Sequence, residues 1–248
     1  MKLTILSLFI MSLCGPLALA KNRIELRPTS DMAQAGTVDY SFDLIDTNTG
    51  KLISDAELAI DMEKNLHMIV YDPSLKEFQH VHPAFDGKTW KVQMNFTVNG
   101  NYWVWAQGKL KKGSVEFSSP SRLMVMGGGA EWPTTPVLGD VRKGSADITH
   151  VELGADALVA GSMAMLDVKF SRNNGTAPEL TPYLGAFAHV VVVPSTGDAL
   201  QHVHVMDVSS DEGMLHTTFP AAGEYRLWIQ FVDGGKLKVI PLSVVVTK

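Results

Sequence analysis

Cysteine is almost missing: the 248 residues contain one, Cys14. It lies in residues 1–20, which read as a signal peptide. Lys2 supplies the positive end, Leu3 to Leu13 a short apolar run, and Ala18-Leu19-Ala20 a small-x-small cleavage site before Lys21. The residue before Cys14 is Leu13, where a lipoprotein signal carries a small side chain, so no lipid anchor is expected. With the leader removed no thiol remains. That excludes disulfides, thiolate metal sites, iron–sulfur clusters and cysteine nucleophiles, and leaves the fold to be held by its core. A basic excess is also lacking: without Lys2 there are 20 basic against 26 acidic residues. No nucleic-acid or anionic-membrane footprint follows from such a balance. No later run approaches the roughly 20 apolar residues that span a bilayer, so no membrane span is expected after cleavage. Phosphate-binding glycine loops, nucleophile elbows, zinc-protease motifs and EF-hand loops are absent, as is any long helical period outside the leader.

What is present is a duplication. His67-Met68-Ile69-Val70 leads to Phe78-Gln79-His80-Val81-His82, and His189-Val190-Val191-Val192 leads to Leu200-Gln201-His202-Val203-His204. The two copies match without a gap, 122 residues apart. Further on, Gly100, Tyr102, Trp105 and Gln107 recur in register as Gly223, Tyr225, Trp228 and Gln230. Self-similarity at a fixed offset marks a repeated structural unit.

The unit is β-rich. Short runs of Val, Ile, Phe, Tyr and Trp, separated by Gly, Pro, Asn and Asp, predict strands at 38–44, 67–72, 78–82, 91–97, 102–107 and 122–126. In the second copy they fall at 147–153, 163–170, 189–193, 200–205, 214–219, 225–231 and 237–246. The expected fold is all-β: two tandem immunoglobulin-like β-sandwich domains. Tyr102 and Tyr225, each two residues after a glycine, fit either a tyrosine corner or a plain aromatic core strand. The expected order is signal peptide 1–20, first sandwich 21–127, linker 128–145 and second sandwich 146–248. The run Gly127-Gly128-Gly129 reads as a hinge.

The histidine spacing carries the chemistry. His80 and His82 are two apart on a strand and share a face. A hairpin centred between Ser74 and Leu75 sets His67 opposite His82, with His80 diagonal. A centre between Thr196 and Gly197 does the same for His189, His204 and His202. Directly paired Cβ atoms lie about 4.5–5.5 Å apart, close enough for three imidazoles to meet on one ion at about 2.0–2.1 Å. His67, His80 and His82 form one candidate metal site, and His189, His202 and His204 another. Without thiolate, three imidazoles and an open position fit zinc or copper. Because imidazole must be neutral to bind, affinity should weaken as pH falls through about 6.5. Met62 and Met206, near His67 and His204, are weaker candidates as thioether ligands or as core filler. Glu63 is a candidate carboxylate, with Gly185 at its place in the second copy. His150 and His216 have no histidine counterpart and read as surface residues.

The His-x12-His-x-His pattern, the run Phe78 to Pro83 and the run Tyr183 to His189 resemble a group of exported bacterial proteins with tandem immunoglobulin-like domains, loosely labelled heavy-metal or copper-related. The resemblance implies metal binding. Members of the group often carry His where Met62 stands. Three functions follow. The first is a non-enzymatic periplasmic or secreted protein that binds copper or zinc, one ion per repeat, and buffers it or passes it to another periplasmic or membrane protein. The second is an adhesion or interaction module whose histidines are structural. The third is a metal-dependent hydrolase, for which no repeated acid or base stands beside the trios.

Overall fold

The computed structural model describes residues 23–61, 63–130, 136–154, 156–207 and 209–248. The signal-peptide segment and Met62 lie outside them. Among the described residues the first domain contains ten strands: β1 (Ile24–Pro28), β2 (Met32–Gln34), β3 (Gly36–Asp46), β4 (Lys51–Leu52), β5 (Leu66–Tyr71), β6 (Phe78–Val81), β7 (Ala84–Phe85), β8 (Trp90–Phe96), β9 (Gly100–Lys109) and β10 (Glu116–Met126). The second contains β11 (Lys143–Ala146), β12 (Thr149–Leu153), β13 (Leu158–Val159), β14 (Met163–Arg172), β15 (Leu180–Thr181), β16 (Ala188–Pro194), β17 (Gln201–Asp207), β18 (Glu212–Thr218), β19 (Gly223–Asp233) and β20 (Lys236–Thr247). The expected strands are found with altered ends: most extend further, while 78–82 stops at Val81 and 147–153 begins at Thr149. Short strands such as β1, β2, β11 and β13 had no readable pattern of their own.

In the first domain a sheet in the order β1-β3-β8-β7 packs on a second in the order β2-β10-β9-β5-β6. The pattern along β3 explains the sandwich: Tyr40, Phe42 and Leu44 point into the core while their neighbours do not. The second domain repeats the plan, but β17 is longer and also pairs with β18, joining both sheets into one that wraps around. In the first domain the side chain of Gln79 spans that gap, donating to Asn95 O and accepting from Asn95 N, each at 2.8 Å. Two immunoglobulin-like sandwiches in tandem are therefore the fold. Both tyrosine corners are formed: Tyr102 Oη donates to Val98 O at 3.1 Å and Tyr225 Oη to Ala221 O at 2.8 Å.

Strands β5 and β16 are buried on both faces. Leu66, Met68 and Val70 enter the first core; Ala188, Val190 and Val192 enter the second. The alternate residues Ile69, Tyr71, Val191 and Val193 enter a third apolar cluster between the domains, with Trp105, Trp228 and Leu138. The repeats thus pack sheet on sheet through equivalent faces.

The contacts obey an approximate twofold axis. Arg226 Nε donates to Leu75 O at 3.1 Å, and at the equivalent pair Gly197 lies under the Trp103 indole, where an added Cβ would meet Nε1 at 3.2 Å. Tyr71 Oη donates to Gly197 O at 2.8 Å. The glycine run is not a free hinge. Gly129 N donates to Thr97 O at 2.9 Å, and Gly128 N to the Asn99 side chain at 2.8 Å. A Cβ on Gly128 would stand 2.8 Å from Thr97 O, so the run is glycine-rich because it lies against the first domain.

Candidate metal centre

The hairpin register places the histidines. In β5 and β6, Met68 pairs with Val81 and Ile69 with His80, the register that sets His67 opposite His82. In β16 and β17, His189 pairs directly with His204. All six histidines then lie on the outer faces of their sheets. Because those faces meet, the two expected sites become one six-imidazole cluster across the domain boundary.

Within the first repeat the ring centres are 5.3 Å (His67–His80), 5.0 Å (His67–His82) and 4.8 Å (His80–His82) apart. The second repeat gives 5.3, 4.7 and 4.9 Å for the same pairs. Between repeats His80 and His202 are 4.8 Å apart, His67 and His202 5.2 Å, and His80 and His189 5.6 Å. A metal–nitrogen bond of about 2.0–2.1 Å places ring centres about 5 Å from one another around a shared tetrahedral ion. The ligand atoms that lie within 4.8 Å of one another belong to His67, His80 and His202, and to His189, His202 and His204. In the first of these groups His202 of the other repeat stands where His82 was expected.

Surrounding groups fix where the protons sit. Asp61 and Lys64 bond reciprocally in a tight turn, and Tyr183 and Ala186 form the equivalent turn. The first turn aims Asp61 O at His67 Nε2, 3.2 Å away; the second aims Tyr183 O at His189 Nε2, 2.8 Å away. A carbonyl only accepts, so in both neutral rings the proton is on Nε2 and the lone pair on Nδ1. His80 Nδ1 donates to Gln230 Oε1 at 2.8 Å, across the domain boundary, which leaves the lone pair on its Nε2. His67 Nδ1 and His80 Nε2 therefore face each other at 3.1 Å, both as acceptors. His189 Nδ1 and His202 Nε2 repeat the 3.1 Å approach. Here only His189 is pinned, because Gln107, the counterpart of Gln230, donates to Ser118 at 3.1 Å and leaves its buried Oε1 without a partner. Two further buried nitrogens, His82 Nε2 and His204 Nε2, also lack partners among the described residues.

Burial keeps the cluster neutral. It pushes the imidazoles of His80 and His202 well below the ordinary value, with the neighbouring rings adding to the shift. His82 and His189 are pushed down to about 4, and His67 and His204 are lowered, in each case chiefly by burial. The expected loss of neutral ligand near pH 6.5 is thus moved to lower pH by desolvation. A cavity of about 120 Å³ opens beside His67, His202 and His204, and the acidic residues Asp61 and Glu116 also line it. Negative charge there favours entry of a cation.

Other candidates resolve differently. Glu63 has φ 64° and its counterpart Gly185 φ 76°, so the position is a left-handed turn residue in both repeats. Met206 is exposed. His216 is exposed and His150 half-buried on a strand. The carbonyls of Asp61 and Tyr183 carry no sequence signal, apart from lying 122 residues apart. Gln107 and Gln230 did recur in register, but only the fold shows that Gln230 reaches across to His80 of the opposite repeat.

A family model described as Domain of unknown function (DUF8832) matches residues 21–119 and 144–248. A search among curated proteins finds no match. Similar solved structures include the Escherichia coli adhesin FdeC, at 14% identity and TM-score 0.30, covering 93% of this chain and 66% of that one. The fibronectin(III)-like modules of Clostridium thermocellum CbhA match at 11% and 0.25, covering 89% and 92%. Invasin, a bacterial integrin-binding protein, matches at 13% and 0.28, covering 90% and 39%. The chain spans less than two thirds of the adhesin and invasin structures. These likenesses concern the fold alone.

Proposed function

The chain belongs to the family of the domain of unknown function DUF8832 and carries that domain twice; from that premise we propose that it is an exported, non-enzymatic protein that binds copper or zinc at the interdomain histidine cluster, for buffering or transfer of the ion. One observation carries the reading: His67 Nδ1 and His80 Nε2 face each other at 3.1 Å as two acceptors, each held in that tautomer by an outer acceptor. Two lone pairs so placed repel unless a cation lies between them. Two metal–nitrogen bonds of about 2.0–2.1 Å at roughly 100° reproduce that separation. The outer hydrogen bonds are of the kind that orient imidazole ligands. His202, which belongs to both ligand groups, is the residue on which uptake depends most.

The test is metal stoichiometry on the mature protein, after chelator treatment and exposure to zinc or Cu(II). Bound ion at micromolar concentration, sharply reduced in His202→Asn, is the expected result. An intact protein that retains no ion at that concentration removes the reading.

A second reading has its own support. The interdomain apolar cluster and the Tyr71–Gly197 and Arg226–Leu75 hydrogen bonds hold the domains together without any ion. In that reading the protein is an interaction module and the histidines are part of its joint. Replacing His80 and His202 with Asn would then lower stability and leave metal uptake unchanged.

A further inference from the structure

Methionine is an apolar residue that normally fills cores, yet three methionines of the second domain stand in solvent: Met163 is 72% exposed, Met165 59% and Met206 62%. Met163 and Met165 lie on β14 and Met206 on β17, with Met214 on β18 between them. Met165 pairs across strands with His216, Asp167 with Met214, and Met206 with Met214. Residues two apart on a strand share a face, and the alternate residues Leu166, Val168, Leu215 and Val205 enter the core. Met163, Met165, Met206, Met214 and His216 therefore share the outer face of three adjacent strands. His204 lies on that face of β17 as well, two residues from Met206, so the group begins where the buried cluster ends.

The first domain supplies an internal control. In the same register, where Thr37 pairs with Asn95, Asp39 with Gln93 and Ser41 with Lys91, it carries Thr37 for Met163, Asp39 for Met165, Lys91 for Met214 and Gln93 for His216. Ala84 stands for Met206. The sandwich thus accepts ordinary surface residues at all five positions, and packing does not call for thioethers there.

We propose that Met206, Met214 and His216 form a second metal site, specific for monovalent copper, on the outer face of the second domain. Directly paired Cβ atoms lie about 4.5–5.5 Å apart, and the flexible thioether chains can draw their sulfurs onto one ion. Thioether is a soft ligand that selects Cu(I), and one imidazole is compatible with that choice. The exposed Asp167 carboxylate, on the same face and paired with Met214, offsets the positive charge. The site is independent of the buried cluster being loaded.

The experiment is an anaerobic Cu(I) titration of the mature protein against a chromophoric Cu(I) chelator, beside the double variant Met206→Leu and Met214→Leu. Leucine keeps size and apolarity at exposed positions, so the fold is retained; circular dichroism checks that. The expected result is loss of one Cu(I) equivalent, or at least a tenfold weaker apparent affinity, with zinc uptake unchanged. X-ray absorption of the wild-type protein carrying Cu(I) should show sulfur bound to copper. Equal Cu(I) uptake by both proteins, or a copper environment of nitrogen alone, overturns the proposal. Failure of zinc binding in both proteins would count against the buried centre and leave this site standing.

Discussion

His67, His80 and His189 are each oriented by what their second nitrogen touches. For His80 that contact is Gln230 Oε1, reached across the domain boundary. Gln230→Ala should cost about 1–3 kcal/mol, the usual effect of leaving a buried donor without its acceptor. Gln107→Ala removes only a bond to Ser118 and should cost less, about 1 kcal/mol or under. Urea unfolding of the metal-free protein measures both, and equal costs would mean that the two glutamines play the same part. The pH response follows from burial. Unfolded imidazole titrates near 6.5, whereas the folded rings titrate lower, His82 and His189 at about 4. Between those values the unfolded chain binds more protons, so stability falls as pH falls. The contribution is complete above about 6.5 and is lost progressively toward 4. Carboxylates held low, such as Asp46 and Asp233, lose their contribution only below their ordinary range, so the windows separate. The urea midpoint of the metal-free protein should drop between pH 7 and pH 5, and a flat profile would show that the rings accept protons freely.

At the scale of elements, the hairpins were legible because they are local. The turn Asp72 to Lys76 and the turn Pro194 to Asp198 fix the register, and the register alone sets His189 against His204. The meeting of the two repeats was not legible. Its signal, an unbroken apolar run along His67 to Tyr71 and again along His189 to Val193, fits any doubly buried strand and does not say what covers the second face. Hence two separate sites were expected where one shared cluster is found. The glycine run misled for a related reason: three glycines serve a close approach as well as a hinge, and only the nearness of Thr97 distinguishes them. The joint itself predicts a mutational effect. The Trp228 ring stacks on Phe78 at 4.6 Å and on Tyr71 at 5.7 Å, both from the other repeat. Trp228→Ala should cost about 3–5 kcal/mol, and because the lost contacts lie between domains, a single unfolding transition should separate into two. Denaturation followed by domain-specific fluorescence or amide exchange would detect this; a small cost with one sharp transition would mean that the joint is held elsewhere.

At the scale of the molecule, duplication has turned two similar faces toward each other about an approximate dyad, so that imidazoles from both repeats surround one space. An ion bound there, as proposed, would join the domains, and its binding free energy would add to the stability of the whole folded chain. At a free ion concentration a hundredfold above the dissociation constant, that addition is about 2.7 kcal/mol per ion. For a chain of this size it corresponds to a rise of about 5–10 °C in Tm. Because His67 and His80 come from one repeat and His202 from the other, the rise should appear in both domains together. His67→Asn, altered only in the first domain, should reduce the shift of the second domain's unfolding as well. Scanning calorimetry with and without zinc, and after chelator, measures this. If zinc moved only the part of the enthalpy belonging to one domain, the ion would lie within a single repeat, and the shared arrangement of imidazoles would have no part in binding it.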